Sequence, residues 1–166
     1  MEKKYELTDE ILEVGGRVLH RIKALRDFGN VKKGDIGGWI ECEDNLSHDD
    51  DCWVYGKARV YGKARVCGEA RVYGEAEVCG EARVYGEARV YGEAVIKSKS
   101  DYIVFKNWWS SGRYFTWTRS NDMWSVGCFY GTGEELIKKA YNDSEEKGRE
   151  YERIVKYVES IKQEFK

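Results

Sequence analysis

A six-residue repeat fills the middle of this chain. From Val54 to Val95 the sequence reads VYGKAR, VYGKAR, VCGEAR, VYGEAE, VCGEAR, VYGEAR and VYGEAV, without an insertion. A fixed period constrains the fold more strongly than any single motif, because every unit must adopt the same local structure and pack on its neighbours. The repeat therefore predicts a regular stack of short elements.

Within one unit, the order of residue types predicts a short strand followed by a corner. Ala58 and Val60 lie two positions apart and point to one side of a strand, whereas Arg59 and Tyr61 point to the other. The glycine of each unit permits a sharp bend, since it has no Cβ atom. Alanine and valine are therefore expected inside the stack, with arginine and tyrosine outside.

This pattern resembles the hexapeptide-repeat proteins, whose units have an aliphatic first residue and a small fifth residue. The resemblance implies a left-handed parallel β-helix with three units in each triangular coil, called the prism below. The register extends less regularly from Ile36 to Asp101, which gives about eleven units and a little under four coils. Residues 27–56 also resemble the entry segment of hexapeptide-repeat proteins carried by phages, prophages and some bacteria.

Two flanking regions complete a fold that is predicted to be mainly β. Residues 1–35 contain apolar runs on both sides of Gly15-Gly16, which predicts a β-hairpin cap over the first coil. The β-helix occupies residues 36–101, and a C-terminal α+β module occupies residues 102–166. In that module we predict three antiparallel strands, at Tyr102–Trp109, Arg113–Arg119 and Trp124–Tyr130. Two helices follow, one beginning at the capping box from Thr132 to Glu135 and one following Gly148.

The composition excludes several classes of partner. The formal net charge is −2, so the chain as a whole does not attract long nucleic acids or anionic membranes. No apolar run reaches the ~20 residues of a membrane span, and the N-terminus has no apolar signal core. These features predict a cytoplasmic protein, in the host cytoplasm if a phage encodes it.

The cysteines and acidic residues do not form a metal-binding pattern. The five cysteines have no C-x-x-C spacing, which predicts neither a zinc site nor a disulfide. Cys42 and Cys52 fall at inward positions of the prism, where a thiol packs as a small hydrophobe. The acidic residues from Glu41 to Asp51 lack an EF-hand spacing and suit solvated corners better than a calcium site. No metal and no other cofactor is predicted.

The outer surface of the prism is the first candidate binding surface. Residues eighteen positions apart are expected to form columns, and one column contains Trp53 and Tyr55 followed by the candidate ligand-binding residues Arg71, Tyr73, Arg89 and Tyr91. Arginine and tyrosine side chains can stack on planar groups and pair with phosphates. The alternative is subunit packing, because the resemblance implies a homotrimer assembled through such faces.

The second candidate is the aromatic C-terminal segment. Its candidate ligand-binding residues are Lys106, Trp109, Arg113, Trp117 and Arg119. Aromatic rings stack on nucleobases while guanidinium groups hold phosphate oxygens, which favours a small anionic ligand such as a nucleotide. The alternative is that the rings form the core of a small module. A seam between this module and a neighbouring subunit's prism would combine both sets of residues.

The resemblance also raises an enzymatic interpretation. Many hexapeptide-repeat proteins are acyltransferases, and the resembled enzymes use a histidine base at a subunit seam, often with a loop protruding from the coils. The chain has two histidines, His20 in the hairpin and His48 beside Asp49, and its clean repeats contain no insertion. His48 is therefore the alternative catalytic residue, and no catalytic residue is predicted in the favoured, non-enzymatic interpretation.

The sequence thus predicts a non-enzymatic homo-oligomeric binding protein of phage type. Its predicted role is to sequester a host nucleotide signal used in antiviral defence, at subunit seams. Two alternatives stay open at this point, namely a hexapeptide-repeat acyltransferase that uses His48 and an inhibitor that docks on a host enzyme.

Overall fold

The structure, a computed structural model, describes residues 2–108 and 110–164. The predicted fold class is confirmed: the chain is mainly β, with a three-sided parallel β-helix between an N-terminal hairpin and a C-terminal sheet that carries two helices. The prism begins with β3 (Ile36–Ile40) and continues through two-residue strands, one per repeat. These strands are β4 (Trp53–Val54), β5 (Arg59–Val60), β6 (Arg65–Val66), β7 (Arg71–Val72), β8 (Glu77–Val78), β9 (Arg83–Val84), β10 (Arg89–Val90) and β11 (Val95–Ile96).

Parallel pairing creates the three sides, with partners eighteen residues apart within the repeats and twenty residues apart between β3 and β5, where Trp39 pairs with Arg59. One side has the order β3-β5-β8-β11, the second β10-β7-β4, and the third β6-β9. Arg71 lies between Trp53 and Arg89 in the second side, as the repeat predicted. The interior contains the alanine and valine of every unit, all of them buried. The inside-outside assignment of the repeats is therefore correct.

The first coil departs from the predicted register in two ways. Ile40 and Leu46 pair with Val60 and Val66, twenty residues ahead, so the predicted unit that begins at Ile36 is out of register and Ile36 is 52% exposed.

The second departure is at Cys42. This cysteine is exposed, because Glu43–Asn45 forms a 3-10 turn in place of a regular corner. The buried Asn45 side chain takes over the interior position: its Oδ1 accepts hydrogen bonds from the backbone N–H groups of Glu41 and Cys42, and its Nδ2 donates to the carbonyl of Ala64. The predicted inward position of Cys42 was wrong, whereas Cys52 is buried as predicted.

The N-terminal hairpin continues one side of the prism and covers its first coil. Strands β1 (Tyr5–Val14) and β2 (Arg17–Ala24) are antiparallel, and β2 pairs antiparallel with β3. Gly15 and Gly16 both have positive φ angles, 54° and 81°, as a tight type I′ turn requires. The predicted hairpin cap is confirmed.

Two buried side chains seal this end of the prism. Trp53, predicted on the outer column, is buried between the rings of Tyr5 and Phe28, with centroid distances of 6.1 and 5.1 Å. Lys4 is also buried, and its Nζ donates to the carbonyl oxygens of Cys52 at 2.7 Å and Asp50 at 3.2 Å. Burial lowers the pKa of Lys4. The ammonium group thus satisfies carbonyls that have no preceding coil to pair with.

The C-terminal sheet has four strands, one more than predicted. They are β12 (Tyr102–Lys106), β13 (Tyr114–Thr118), β14 (Met123–Val126) and β15 (Phe129–Gly131), all antiparallel. The predicted third strand is divided by a two-residue turn at Gly127 and Cys128, where Gly127 has a φ of 54°. Glycine at the first central position is the requirement of a type II′ hairpin turn.

Two helices pack on this sheet. Helix α1 (Gly133–Asp143) begins at the predicted capping box, in which the Thr132 hydroxyl accepts from the Glu135 N–H. Helix α2 (Glu145–Glu164) begins before Gly148 rather than after it. A Cβ at Gly148 would lie 2.2 Å from the Tyr141 ring, so the glycine allows close packing of the two helices instead of ending one. Neither helix of the described residues has an apolar stretch of membrane-spanning length.

The C-terminal module packs on the last coil of its own prism. The hydroxyls of Thr116 and Ser120 accept hydrogen bonds from the backbone N–H groups of Arg89 and Val95, at 3.0 and 2.8 Å. The Tyr102 hydroxyl donates to the carbonyl of Arg83 at 2.8 Å. These side chains pair backbone groups that a further coil would otherwise have paired. The seam between prism and module is therefore formed within one chain.

Corner glycines give a test of how tightly the coils stack. Gly74 and Gly86 have almost the same φ, 64° and 65°. A Cβ at Gly74 would lie 2.9 Å from the backbone nitrogen of Gly92, whereas a Cβ at Gly86 would have no atom within 4 Å. Gly86→Ala should lower the free energy of unfolding by about 1 to 2 kcal/mol, the cost of a left-handed alanine. Gly74→Ala should lower it further, because the two corners must also separate. Urea unfolding of both variants measures the difference, and equal losses would show that the corners do not touch.

Candidate functional site

A ladder of tyrosine rings runs along one edge of the prism. Tyr55, Tyr73 and Tyr91 are stacked nearly parallel, with centroid distances of 4.4 and 4.3 Å, and Tyr130 of β15 extends the ladder at 5.7 Å. Burial raises the pKa of Tyr55 to about 12, so its hydroxyl stays protonated at neutral pH. Because the faces of neighbouring rings already cover each other, a planar ligand has no open ring face between successive rungs. The ladder offers ring edges and hydroxyls instead.

The structure brings two of the predicted site residues together. Arg71 and Arg89 are half-buried on the side of the prism formed by β4, β7 and β10. Arg89 and Arg113 both line a small cleft of about 150 Å³ between the last coil and the C-terminal sheet, with Glu87 beside them. The two candidate groups therefore meet within one chain, whereas the sequence analysis placed their meeting at a neighbouring subunit.

The aromatic candidates of the C-terminal module divide between core and surface. Trp117 is only 3% exposed and its Nε1 donates to Asp122 at 2.8 Å, so its ring is part of the core of the module. Lys106 is exposed and lies over the Tyr114 ring at 5.7 Å. Arg119 is exposed, and its backbone N–H donates to the Asp101 carbonyl. Trp109 lies outside the described residues.

A larger cleft lies between the β14–β15 turn and the two helices. It has a volume of about 340 Å³, and its polar lining comes from Arg113, Lys139, Asp143, Lys147 and Tyr151. The sequence analysis identified Arg113 and missed the four helical residues, because their position depends on how α1 and α2 pack on the sheet. Asp143 ends α1 and Lys147 lies in α2, so their ion pair, whose atoms are 2.6 Å apart, spans the break between the two helices and has no helical spacing as its signal.

His48 is held from three directions. Its ring stacks on Tyr5 at 4.2 Å, its Nδ1 accepts the backbone N–H of Lys4 at 3.1 Å, and its Nε2 lies 3.1 Å from Glu43 Oε1. A backbone N–H is a fixed donor, so the proton of the neutral ring is on Nε2 and is donated to Glu43. Hydrogen bonds from Lys3 and, more weakly, from His48 lower the pKa of Glu43. Both ring nitrogens are engaged, and this arrangement leaves His48 no free lone pair to act as a base.

His20 has the opposite arrangement. Its Nδ1 lies 3.1 Å from the carbonyl oxygen of Thr8, which can only accept, so Nδ1 carries the proton. Its Nε2 has no hydrogen-bond partner among the described residues. The side chain is partly exposed on β2, opposite Ile11 of β1. His20 is therefore the histidine that presents an unprotonated nitrogen, and the sequence analysis had assigned it no chemical role.

The cleft beside His48 is mainly acidic at its rim. It has a volume of about 430 Å³ and is lined by Glu43, Asp44 and Asp49, together with Lys3 and Arg65. Across residues 2–108 and 110–164, no three His, Cys, Asp or Glu side chains are grouped closely enough to hold a metal ion.

Comparison with known proteins finds a relative that matches part of the chain. No family model matches the chain. The chain is 33% identical over 66 residues to the "Uncharacterized acetyltransferase YdcK" of Escherichia coli strain K12, which covers 35% of this chain and 20% of that protein. The chain thus matches about a fifth of the length of this relative. The likeness, together with the solenoid, fits a hexapeptide-repeat β-helix and carries no information on the resemblance to phage proteins.

Two tryptophans test the division between core and surface. Trp117→Ala should lower the stability of the C-terminal module by about 3–5 kcal/mol, because it removes a buried ring. Trp108 is 84% exposed, and Trp108→Ala should change stability by less than about 0.5 kcal/mol. Thermal unfolding followed by near-ultraviolet circular dichroism measures both. A stable Trp117→Ala variant would return Trp117 to the candidate ligand-binding residues.

Proposed function

We propose that this protein is an acyltransferase that uses an acyl thioester such as acetyl-CoA as donor. The observation that carries the proposal is the 33% identity over 66 residues to a protein named as an acetyltransferase, on a chain that folds as a parallel β-helix. This function was the enzymatic alternative of the sequence analysis. The relative favours it over a purely non-enzymatic protein.

His20 is the proposed general base. Transfer of an acyl group to a hydroxyl or amine requires a group that accepts the proton of the attacking nucleophile. An imidazole does this best when one nitrogen is held by an acceptor and the other is free, which is the state of His20. His48 has the reverse arrangement and is assigned a structural role, that of joining the N-terminal segment to the first coil.

The surface around His20 fits a boundary between subunits. Val18 lies two residues from His20 on β2, and Ile11 is directly opposite on β1, so these side chains share one face of the hairpin. Val18 and Ile11 are 43% and 53% exposed. Burial of these apolar side chains against a second copy of the chain would place His20 at a subunit seam. The homotrimer expected from the family resemblance is part of this proposal.

The two histidines provide a matched test. With acetyl-CoA and a panel of amine and hydroxyl acceptors, His20→Ala should lower kcat by about 10²- to 10⁴-fold, the usual contribution of a general base. His48→Ala should leave kcat within a few-fold once stability is controlled. Release of the free thiol is the measured signal, and native mass spectrometry reports the number of subunits for each variant.

Three outcomes decide the assignment. Loss of turnover in His48→Ala with unchanged turnover in His20→Ala would reverse the roles of the two residues. Absence of any acyl-thioester turnover by the wild-type protein across the acceptor panel would reject the enzymatic function. A monomeric wild-type protein with full activity would reject the seam and leave the base in place.

Sequestration of a small anionic ligand without turnover is the second candidate. The observation that favours it is the meeting of Arg89 and Arg113 beside the last coil. A host nucleotide signal is the ligand this hypothesis predicts, with an anti-defence role if the chain is encoded by a phage. Isothermal titration calorimetry with cyclic dinucleotides and ADP-ribose derivatives tests it, and absence of heat for both classes would end the nucleotide hypothesis.

A further inference from the structure

The cleft between the β14–β15 turn and the helices has the dimensions of a small-molecule site. Its volume of about 340 Å³ lies within the range typical of ligand pockets. Its apolar lining comes from Val126, Phe129, Leu136 and Ala140. The cleft is distant in sequence from the hairpin that carries His20, and it has no part in the proposed acyl transfer.

The charged lining of this cleft is unbalanced. Arg113, Lys139 and Lys147 contribute three cationic side chains, against the single carboxylate of Asp143. Lys147 pairs with Asp143 at 2.6 Å, whereas Arg113 and Lys139 make no ion pair within the described residues. The hydrogen bond from Lys147 lowers the pKa of Asp143, and the charges of Lys139 and Arg113 lower it further. All three cations therefore act on the same small volume.

Tyr151 is a second and independent feature of the cleft. Its side chain is 2% exposed and packs edge-on against Phe115 at 4.6 Å. It lines the cleft, and its hydroxyl has no hydrogen-bond partner among the described residues. A buried hydroxyl without a partner destabilises a fold, and phenylalanine would fill the same volume without this cost. An acceptor atom of a bound ligand would satisfy the hydroxyl.

We propose that this cleft binds an organic phosphate monoester with a compact apolar body. The excess of two positive charges matches a phosphate dianion, whose oxygens would accept from Arg113, Lys139 and the Tyr151 hydroxyl. Leu136, Ala140 and Val126 supply the apolar surface for the body of the ligand. The site therefore selects for both parts of the molecule, and neither inorganic phosphate nor a neutral aromatic compound provides both.

Calorimetry of the full chain with phenyl phosphate tests the proposal. We expect saturable binding of phenyl phosphate, affinity for inorganic phosphate that is weaker by about tenfold or more, and no heat with phenol. Arg113→Gln and Lys139→Gln should each weaken the affinity for phenyl phosphate by about tenfold. Lys138→Gln is the matched control, since Lys138 is the exposed neighbour of Lys139 on α1 and does not line the cleft. Its affinity should equal that of the wild type.

Tyr151→Phe separates a ligand contact from a structural role. This variant should bind phenyl phosphate several-fold more weakly and should have an unchanged or higher melting temperature, because it removes an unpaired hydroxyl. A lower melting temperature with unchanged affinity would show that the hydroxyl serves the fold and would overturn its assigned role.

Cysteine alkylation locates the bound ligand. Cys128 is exposed and lines the cleft, and Cys42 is exposed in the first coil. Phenyl phosphate should slow the reaction of Cys128 with iodoacetamide, and the rate at Cys42 should not change; peptide mass spectrometry distinguishes them. Absence of calorimetric binding, or binding that leaves both the Cys128 rate and the Arg113→Gln affinity unchanged, would overturn the proposal. Because His20 is not involved, failure here leaves the acyltransferase proposal standing.

Discussion

The prism depends on hydrogen bonds between backbone groups of successive coils. The N–H of Arg71 donates to the carbonyl of Ala88 at 2.9 Å, and that of Tyr73 donates to Val90 at 2.7 Å, a pattern that recurs around all three sides. Within the repeats these bonds keep partners eighteen residues apart, because one additional residue would turn the next side chain from the interior to the surface. The first coil is two residues longer, since β3 and β5 pair twenty residues apart. Uniform coils also require one small interior residue and one tight corner in every unit. Uninterrupted repeats thus keep the register of the regular coils.

A stack of coils creates two ends with unpaired backbone groups, and this chain closes them differently. At the first coil the Lys4 ammonium binds carbonyl oxygens while Tyr5 and Phe28 enclose Trp53. At the last coil the hydroxyls of Thr116 and Ser120 accept the exposed N–H groups. Polar side chains replace the missing neighbour at each end, and apolar ones exclude water. Both flanking regions therefore stabilise the prism, and both also contain candidate sites.

The chemistry of the candidate sites follows from which polar atoms the fold leaves unpaired. The two histidines differ because one faces a backbone donor and the other a backbone acceptor, which sets opposite tautomers. The stacked tyrosines of the prism leave no open ring face between them, so the Arg-Tyr column offers less to a planar ligand than its composition indicates. The C-terminal cleft instead combines Arg113 and Lys139, which make no ion pair within the described residues, with the unpartnered hydroxyl of Tyr151. Polar groups that have no partner within the fold distinguish a binding surface from a merely charged one.

The three sides of the stack were expected from the resemblance to hexapeptide-repeat proteins. The sequence alone determined the regular stack of repeats, the inward alanine and valine, the N-terminal hairpin and the capping box of α1. Each of these is encoded by residues close together in the chain, through strand alternation, glycine corners and local hydrogen bonds. It also identified Arg89 and Arg113 as candidates. Only the tertiary structure decided that Trp53 and Trp117 are buried, that His48 is fully engaged, and that Tyr151 joins Lys139 and Arg113 in one cleft. Those outcomes depend on contacts between segments far apart in the chain, whose relative positions are set by packing rather than by any local periodicity.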